Sequence, residues 1–365
     1  MRVLVLADEV FASRERVMMS RLEVGLADEG IRVVHAVPEN ASSATPVELF
    51  SQTVTYNAEP LPFGDRLRAR RLAQELDAIA GDAPQPLDLI HVFGGSCWGL
   101  AHLLASRTGA AVALEVWRVG LAPRAGHAPW ARARDAVFLA PDPAIERALR
   151  NAGAPTIRTA PWGVHVATVC RRIFAEDRLP GIMVIGGGRD SAAMHSVLEA
   201  LAAARLAGAE FIAFFDARAA RRAGVWTVAE RLGLLDRLSL IDELEGRRDL
   251  LLQGDVLIHP EHAGEQRSIL LDAMGSGMVV LAAADPNVSI LQEGRTCRVV
   301  RGSTAAAWTE ALSSTLDDRE ASRRLARGAW EFVRDERPAA RYVQAVLDTY
   351  AWLTARSSLP FGAAR

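Results

Sequence analysis

The densest cluster of chemically capable residues is His259-Pro260-Glu261-His262-Ala263-Gly264-Glu265-Gln266-Arg267-Ser268, a polar stretch after an apolar run. Two carboxylates, two imidazoles and a guanidinium crowd the mouth of a helix beside an apolar strand, the polar setting in which an α/β sheet places a site. A second candidate, Gly186-Gly187-Gly188-Arg189, is a turn almost without side chains, where backbone N–H groups can come close to an anion. Gly94-Gly95-Ser96 has the same character in the first half of the chain. Small residues are also what any tight strand-to-helix turn needs, so the glycines alone do not name a ligand. Gly186 and Gly188 are followed by Ser191 where a third glycine would complete the dinucleotide fingerprint, which disfavours an oxidoreductase. The histidines around Pro260-Glu261 lie on a strand-to-loop segment without an evident third ligand, so no metal site is expected.

The elements that must position these loops alternate from the first residue. Met1–Ala7 is a Val/Leu run typical of a buried parallel strand, and Arg14–Glu29 has apolar residues at helical spacing, ending at Gly30 as a C-cap. Strands are expected at Ile31–Val37, Asp88–Phe93, Ala111–Val116 and Asp135–Ala140, with helices at Leu67–Ala80, Trp98–Ser106 and Asp142–Ala152. A second series starts at Gly181: strands Gly181–Ile185, Glu210–Phe215, Leu238–Ile241, Val256–His259 and Met278–Ala282 alternate with helices. Those helices are Ala192–Leu206, Ala217–Leu232, Glu245–Leu252 and Arg267–Gly275, followed by Thr304–Asp317, Asp318–Asp335 and Pro338–Thr354. Strands separated by helices imply parallel sheets covered on both faces. The fold class is α/β: two tandem Rossmann-like, doubly wound domains facing a central cleft. The first would span residues 1–165 and the second 166–340, with 341–365 returning to the first as a helix plus tail. Trp330, Tyr342, Tyr350 and Trp352 on the closing helices are spaced for packing.

Composition narrows the function classes. At 365 residues the chain suggests two domains, and its 50% hydrophobic and 24% charged content is ordinary globular material. A net charge of −2 speaks against a strongly basic nucleic-acid binder. The apolar runs are too short to span a bilayer, and the N-terminus meets Asp8 too early for a secretory signal, so a cytoplasmic protein is expected. The 3 cysteines, Cys97, Cys170 and Cys297, are too scattered to imply disulfides or zinc. All 42 basic residues are arginine, so no step can use a lysine ammonium. Arg66, Arg68, Arg70 and Arg71 crowd one helix; a solvated face is the simpler explanation, contact with anionic lipid the other.

The segment His259–Val280 resembles the donor-site signature of retaining glycosyltransferase family 4: Pro-Ser, a short gap, Glu-Gly-Phe-Gly, then Glu-Ala-Met-Ala-x-Gly-x-Pro-Val-Val. Glu293-Gly294-Arg295-Thr296-Cys297-Arg298-Val299-Val300 is similar to the family's Asp-Gly-x-x-Gly-x-Leu-Val, and Ala160-Pro161-Trp162-Gly163-Val164-His165 to its interdomain Pro-Asn-Gly-Val-Asp. Gly233-Leu234-Leu235-Asp236-Arg237-Leu238 resembles Gly-Leu-x-Asp-x-Val, and Asp88-Leu89-Ile90-His91 resembles Asp-Val-Val-His. The likeness runs in family order over nearly the whole chain and implies the GT-B fold.

The resemblance implies a metal-independent, retaining transferase without a resident cofactor, whose substrate is a UDP- or GDP-linked sugar. Asp272 would hold the nucleotide ribose, Glu265 or Glu261 would contact the donor sugar, and Arg189 with Arg267 would meet the diphosphate. Gly187, Gly188, Gly264 and Ser268 complete the donor side. His91, Gly94, Gly95 and Trp117 belong to the acceptor side, for a sugar, lipid-linked or small-molecule acceptor and possible peripheral membrane association. Catalysis would fall to Glu265, Arg189 and His91. Departures from the family accompany this. Asp272 stands where the second signature glutamate is expected, and Gly264 where the first is, with Glu265 one place along. Gly187 and Ala192 fall where an arginine and a lysine would clamp the diphosphate, Ser13-Arg14 replaces a Gly-Gly loop, and Trp117 replaces a histidine. Two readings therefore stay open: an active transferase, and a catalytically degenerate homologue that binds a sugar or nucleotide or serves as a scaffold.

Overall fold

The apolar opening of the chain becomes β1 (Arg2–Ala7), buried along its whole length at the middle of a sheet. The computed structural model describes residues 1–39, 41, 51–58, 64–80, 85–127, 129–130 and 135–357. The chain divides into two units, Met1–Trp162 together with the segment from Ala339 onward, and Gly163–Pro338.

In the first unit, β1 is joined by β2 (Arg32–Pro38), β3 (Gln52–Tyr56), β4 (Leu89–Phe93), β5 (Ala111–Glu115), β6 (Ala136–Ala140) and β7 (Ile157–Thr159). The order is β3-β2-β1-β4-β5-β6-β7, every pairing is parallel, and Leu4 sits opposite both Val34 and Ile90. Its helices are α1 (Glu9–Arg14), α2 (Arg16–Asp28), α3 (Gly64–Ala80), α4 (Trp98–Thr108), α5 (Ala122–Ala125) and α6 (Pro143–Asn151). Local chemistry explains their ends. After α2, Gly30 takes φ +70° and the Ile31 N–H returns 3.0 Å to the Leu26 carbonyl. Before α6, the Asp142 carboxylate accepts the Ala144 N–H at 2.8 Å, and Pro143 occupies the first helical position.

The second unit repeats the plan with β8 (Gly181–Val184), β9 (Ile212–Asp216), β10 (Leu238–Ile241), β11 (Val256–His259), β12 (Val279–Ala283) and β13 (Arg298–Val300). These form a parallel sheet in the order β10-β9-β8-β11-β12-β13. The helices are α7 (Ser191–Leu206), α8 (Ala217–Ala223), α9 (Val225–Arg231), α10 (Ser268–Gly275), α11 (Ala305–Asp317) and α12 (Arg319–Glu336). Ile182, Ile258 and Leu281 of the strands pack with Val197 and Leu201 of α7 and Trp308 of α11 in its core. The last helix, α13 (Ala339–Ser357), buries Tyr342, Val346, Tyr350 and Leu353 at helical spacing in the first unit. It passes so close to α2 that a Cβ on Gly25 would stand 2.6 Å from Val343 Cγ1.

Several expectations need correction. The helix expected over Ala217–Leu232 is broken at Gly224, whose φ of +66° closes α8 and opens α9. The helix expected over Glu245–Leu252 is a pair of tighter 3-10 turns, Leu244–Gly246 and Arg248–Gln253, entered through Glu243 at φ 54°. There the N–H groups of Gly246, Arg247 and Leu250 bond three residues back, and the Arg248 side chain donates to the Glu245 carbonyl. The strands β3, β7 and β13 lie at sheet edges and lack the continuous apolar run by which buried strands are read. Trp330, Tyr342 and Tyr350 are buried as expected, whereas Trp352 is half-buried between Arg158 and Arg356, which stack on it at 5.5 and 4.7 Å. Among the described residues no helix is long and apolar enough to cross a membrane.

Candidate functional site

In an open parallel sheet, ligands settle beyond the carboxyl ends of the strands where the strand order reverses. In the second unit that reversal lies between β8 and β11. The glycine-rich loop follows β8 and the acidic loop follows β11, so two of the candidate loops converge on one place. Gly188 takes φ +64°, and a Cβ there would stand 2.3 Å from the Ala219 carbonyl oxygen, so only glycine fits. The loop then enters α7, whose N-cap Asp190 accepts the Ala193 N–H at 2.9 Å.

The amides of Gly186, Gly187, Arg189 and Asp190 are turned toward carboxylates. Glu261 Oε2 accepts the Gly187 N–H at 2.5 Å, and Oε1 accepts those of Arg189 at 2.9 Å and Asp190 at 3.3 Å. The Gly186 N–H donates to Glu245 Oε1 at 3.1 Å. Glu245 is in turn ion-paired with Arg267, both enclosed. Beside them Arg248 Nε meets Asp272 Oδ2 at 2.8 Å, and its Nη2 donates to Ser268 Oγ at 2.9 Å. Toward solvent, Arg189 Nη1 lies 3.8 Å from Glu265 Oε1, with Arg189 61% and Glu265 13% exposed along their side chains. Arg222 Nη1 reaches the Gly187 carbonyl at 2.9 Å. On the far side of the acidic loop, the Gly264 N–H donates to Asp285 Oδ2 at 2.7 Å, and Gln266 Nε2 to the Asn287 carbonyl at 3.1 Å. This is a lattice of matched charges around a backbone nest suited to an anion.

The structure thus brings Gly187, Gly188, Arg189, Glu261 and Glu265 together and links Ser268 and Asp272 through Arg248. One expected contact must be withdrawn. The Arg267 side chain is 2% exposed and committed to Glu245, so it braces the loop from within and does not face a diphosphate. Glu245, Arg248, Arg222 and Asp285 escape the sequence reading. The first two lie in a segment whose composition reads as helix. Arg222 stands at the end of α8 and Asp285 just past β12, where position after a strand or helix was the available signal. Among the described residues no group of three or more His, Cys, Asp or Glu is arranged to hold a metal ion.

In the first unit the reversal lies between β1 and β4. Asp8, directly after β1, is the residue that composition alone did not single out. Its Oδ1 accepts the Phe11 N–H at 3.1 Å, and its Oδ2 accepts the Ser96 hydroxyl at 3.1 Å and the Ser96 N–H at 3.4 Å. Burial raises the Asp8 carboxyl above its ordinary range, against the lowering effect of these donors. Gly94 takes φ +101°, and a Cβ there would fall 2.0 Å from the Asp8 carboxyl carbon. Arg124 Nη1 donates to the Gly95 carbonyl at 2.7 Å and its guanidinium lies 4.8 Å from the Trp98 ring centroid. Trp117 is buried, edge-on to Phe11 at 5.6 Å. His91 needs a second correction. At 0% exposure it is enclosed in the core, with Nδ1 2.7 Å from Tyr350 Oη and Nε2 3.3 Å from Glu115 Oε2. Glu115 also takes the Trp162 indole N–H at 2.5 Å. His91 therefore cannot touch an acceptor and serves to tie α13 to the sheet.

Neither family models nor curated proteins match the sequence. Solved structures do match the fold. HepE from Anabaena, solved with UDP-glucose, superposes with a TM-score of 0.74 at 12% identity, covering 96% of this chain and 100% of HepE. Sucrose-phosphate synthase from Thermosynechococcus elongatus gives a TM-score of 0.72 at 14% identity over 97% of this chain and 100% of its own. A UDP-N-acetylglucosamine 2-epimerase gives 0.59 at 14% identity, with coverage of 96% and 97%. With its two parallel-sheet α/β units and this likeness along its length, the chain has the GT-B fold.

Proposed function

We propose that the chain is a glycosyltransferase that moves a sugar from a UDP- or GDP-linked donor to a sugar, lipid-linked or small-molecule acceptor, with retention and without a metal ion. The observation that carries this reading is the meeting of the glycine-rich and acidic loops at the switch point of the second sheet, with Arg248 and Asp272 alongside. The complex of the structurally similar HepE with UDP-glucose supports a nucleotide sugar as the ligand class.

In this reading the amides of Gly187 and Arg189 and the guanidinium of Arg189 receive the diphosphate, Asp272 holds the ribose, and Glu265 contacts the donor sugar. During transfer the bond between the anomeric carbon and the diphosphate oxygen breaks, and the diphosphate leaves with the electron pair. The acceptor oxygen bonds that carbon and passes its proton to the departing diphosphate oxygen. The charge growing on the diphosphate is offset by the loop amides, the N-terminus of α7 and Arg189. Arg222, already at the Gly187 carbonyl, adds a cation from the same side. The acceptor belongs to the first unit, at the switch point beside Asp8, Gly94, Gly95 and the exposed Ser96, while Trp117, enclosed against Phe11, supports that place from within. Exposed Arg66, Arg70 and Arg71 on α3 suit contact with anionic lipid if the acceptor is membrane-borne.

A specific observation favours a second reading. The loop amides and Asp272 are already engaged by Glu261 and Arg248, as suits a homologue that binds a sugar or nucleotide, or acts as a scaffold, without turnover. Calorimetric titration with UDP, GDP and ADP, with and without magnesium, tests the donor reading. Magnesium-independent binding of one nucleotide, lost in Asp272→Ala, supports it and names the base; no binding by any of the three removes it. Release of diphosphate nucleotide from the matching donor in the presence of acceptor separates transfer from binding alone.

A further inference from the structure

The diphosphate seat already has an occupant. Three amides of one turn, those of Gly187, Arg189 and Asp190, converge on the two oxygens of one carboxylate, Glu261, at 2.5, 2.9 and 3.3 Å. Such a nest at the mouth of α7 is what a phosphate group would use, and a carboxylate satisfies it with the same two-oxygen geometry. A phosphate cannot join Glu261 there, because two anions a few ångströms apart repel strongly where water is partly excluded.

We propose that Glu261 is a built-in competitor of the nucleotide diphosphate, and that a donor enters only by displacing its carboxylate from the glycine-rich loop. This rests on the nucleotide-sugar reading of the site and adds a residue that sets its affinity. Two carboxylates accept the amides of this loop, and they differ in what they can do. Glu245 is enclosed, ion-paired with Arg267, and would be stranded in the interior if it let go. Glu261 is half-buried, and the next residues, His262 and Ala263, are exposed, so its side chain can turn into water and be rehydrated. Arg189 and Arg222 stand at the rim to take up the incoming negative charge. Displacement therefore exchanges one anion for another on the same donors, without burying an unpaired charge. A bystander role, in which Glu261 merely braces the loop, makes the opposite prediction: removing it would loosen the nest and weaken any anion bound there.

The test uses the full chain and three probes: inorganic pyrophosphate, UDP and uridine. If the carboxylate holds the seat nine-tenths of the time, the apparent affinity of a competing ligand falls about tenfold. Glu261→Ala is expected to bind pyrophosphate and UDP about tenfold more tightly than the unaltered protein, with uridine unchanged. Glu261→Gln, which keeps the size but offers only one acceptor oxygen, is expected to fall between the two and guards against a folding defect in the alanine variant. Equal or weaker pyrophosphate binding in both variants overturns the proposal, as does an equal gain for uridine, which carries no phosphate. If the unaltered protein binds UDP and neither variant gains, only the competitor role fails. If neither the unaltered protein nor the variants bind UDP or pyrophosphate, the donor reading fails with it.

Discussion

Arg248 Nε stands 2.8 Å from Asp272 Oδ2 with both side chains largely enclosed, so the acid assigned to a nucleotide ribose is half of an ion pair. Removing one member of a buried pair leaves the other charge uncompensated, at a cost of about 3–5 kcal/mol. Arg248→Met should therefore lower the thermal midpoint of the second unit by on the order of 10 °C. Adding Asp272→Asn to it should recover more than half of the loss. Calorimetric unfolding of the two single variants and the double variant checks this; additive effects would mean that the pair is not coupled.

Asp8 carries a pH signature. Burial raises its carboxyl, so the folded chain holds this proton to higher pH than the unfolded chain does. The stabilisation is then present below the ordinary value of 3.8 and is lost as pH rises from there through the folded value. Asparagine keeps one acceptor oxygen, enough for the Phe11 N–H, can donate its amide N–H to the Ser96 hydroxyl, and has no charge to bury. Asp8→Asn should gain stability relative to the unaltered protein as pH rises above about 4, a gain read from thermal midpoints at successive pH values. Parallel curves for the two proteins would contradict it.

How far the sequence reveals this molecule depends on whether a residue's surroundings are local. Buried inner strands such as β6 and β12 declare themselves by unbroken apolar runs, and turns such as Gly186-Gly187-Gly188 by absent side chains. The pairing of those turns with particular carboxylates is not local. Glu261 meets Gly187 across 74 positions, and Glu245 meets Gly186 across 59, through a strand order that composition does not state. His91 illustrates the reverse error. A histidine in the middle of an apolar strand looks like chemistry, yet it points to Tyr350, 259 positions away, and into the core. Arg267 misleads in the same way, because a guanidinium in a polar loop is indistinguishable, as sequence, from one folded under it.

Gly188 should tolerate no side chain. Its φ of +64° and the 2.3 Å approach of a Cβ to the Ala219 carbonyl oxygen oppose alanine both conformationally and sterically. Gly188→Ala should destabilise the second unit by about 2 kcal/mol or more and reduce pyrophosphate binding with it. Denaturant unfolding and titration with pyrophosphate give the two readouts, and a variant unaffected in either would show that the loop yields.

Tyr350→Phe removes a hydroxyl 2.7 Å from His91 Nδ1 in a setting closed to water. Burial, with Glu115 nearby, pushes the phenol well above its usual range, so it is a neutral partner throughout the working pH range. The loss should cost about 1–3 kcal/mol in unfolding free energy. Nucleotide binding by the second unit should be unchanged, which a UDP titration of the same variant would show.

The return of α13 to the first unit has a consequence for the order in which the molecule is made. Tyr342, Val346 and Tyr350 fill part of the first unit, yet a ribosome delivers them only after every residue of the second. The second unit is continuous in sequence and can close as it emerges, while the first must wait with His91, Glu115 and the surface of α2 uncovered. A nascent chain halted before Ala339 would thus carry a finished C-terminal half and an open N-terminal one, the part most in need of a chaperone.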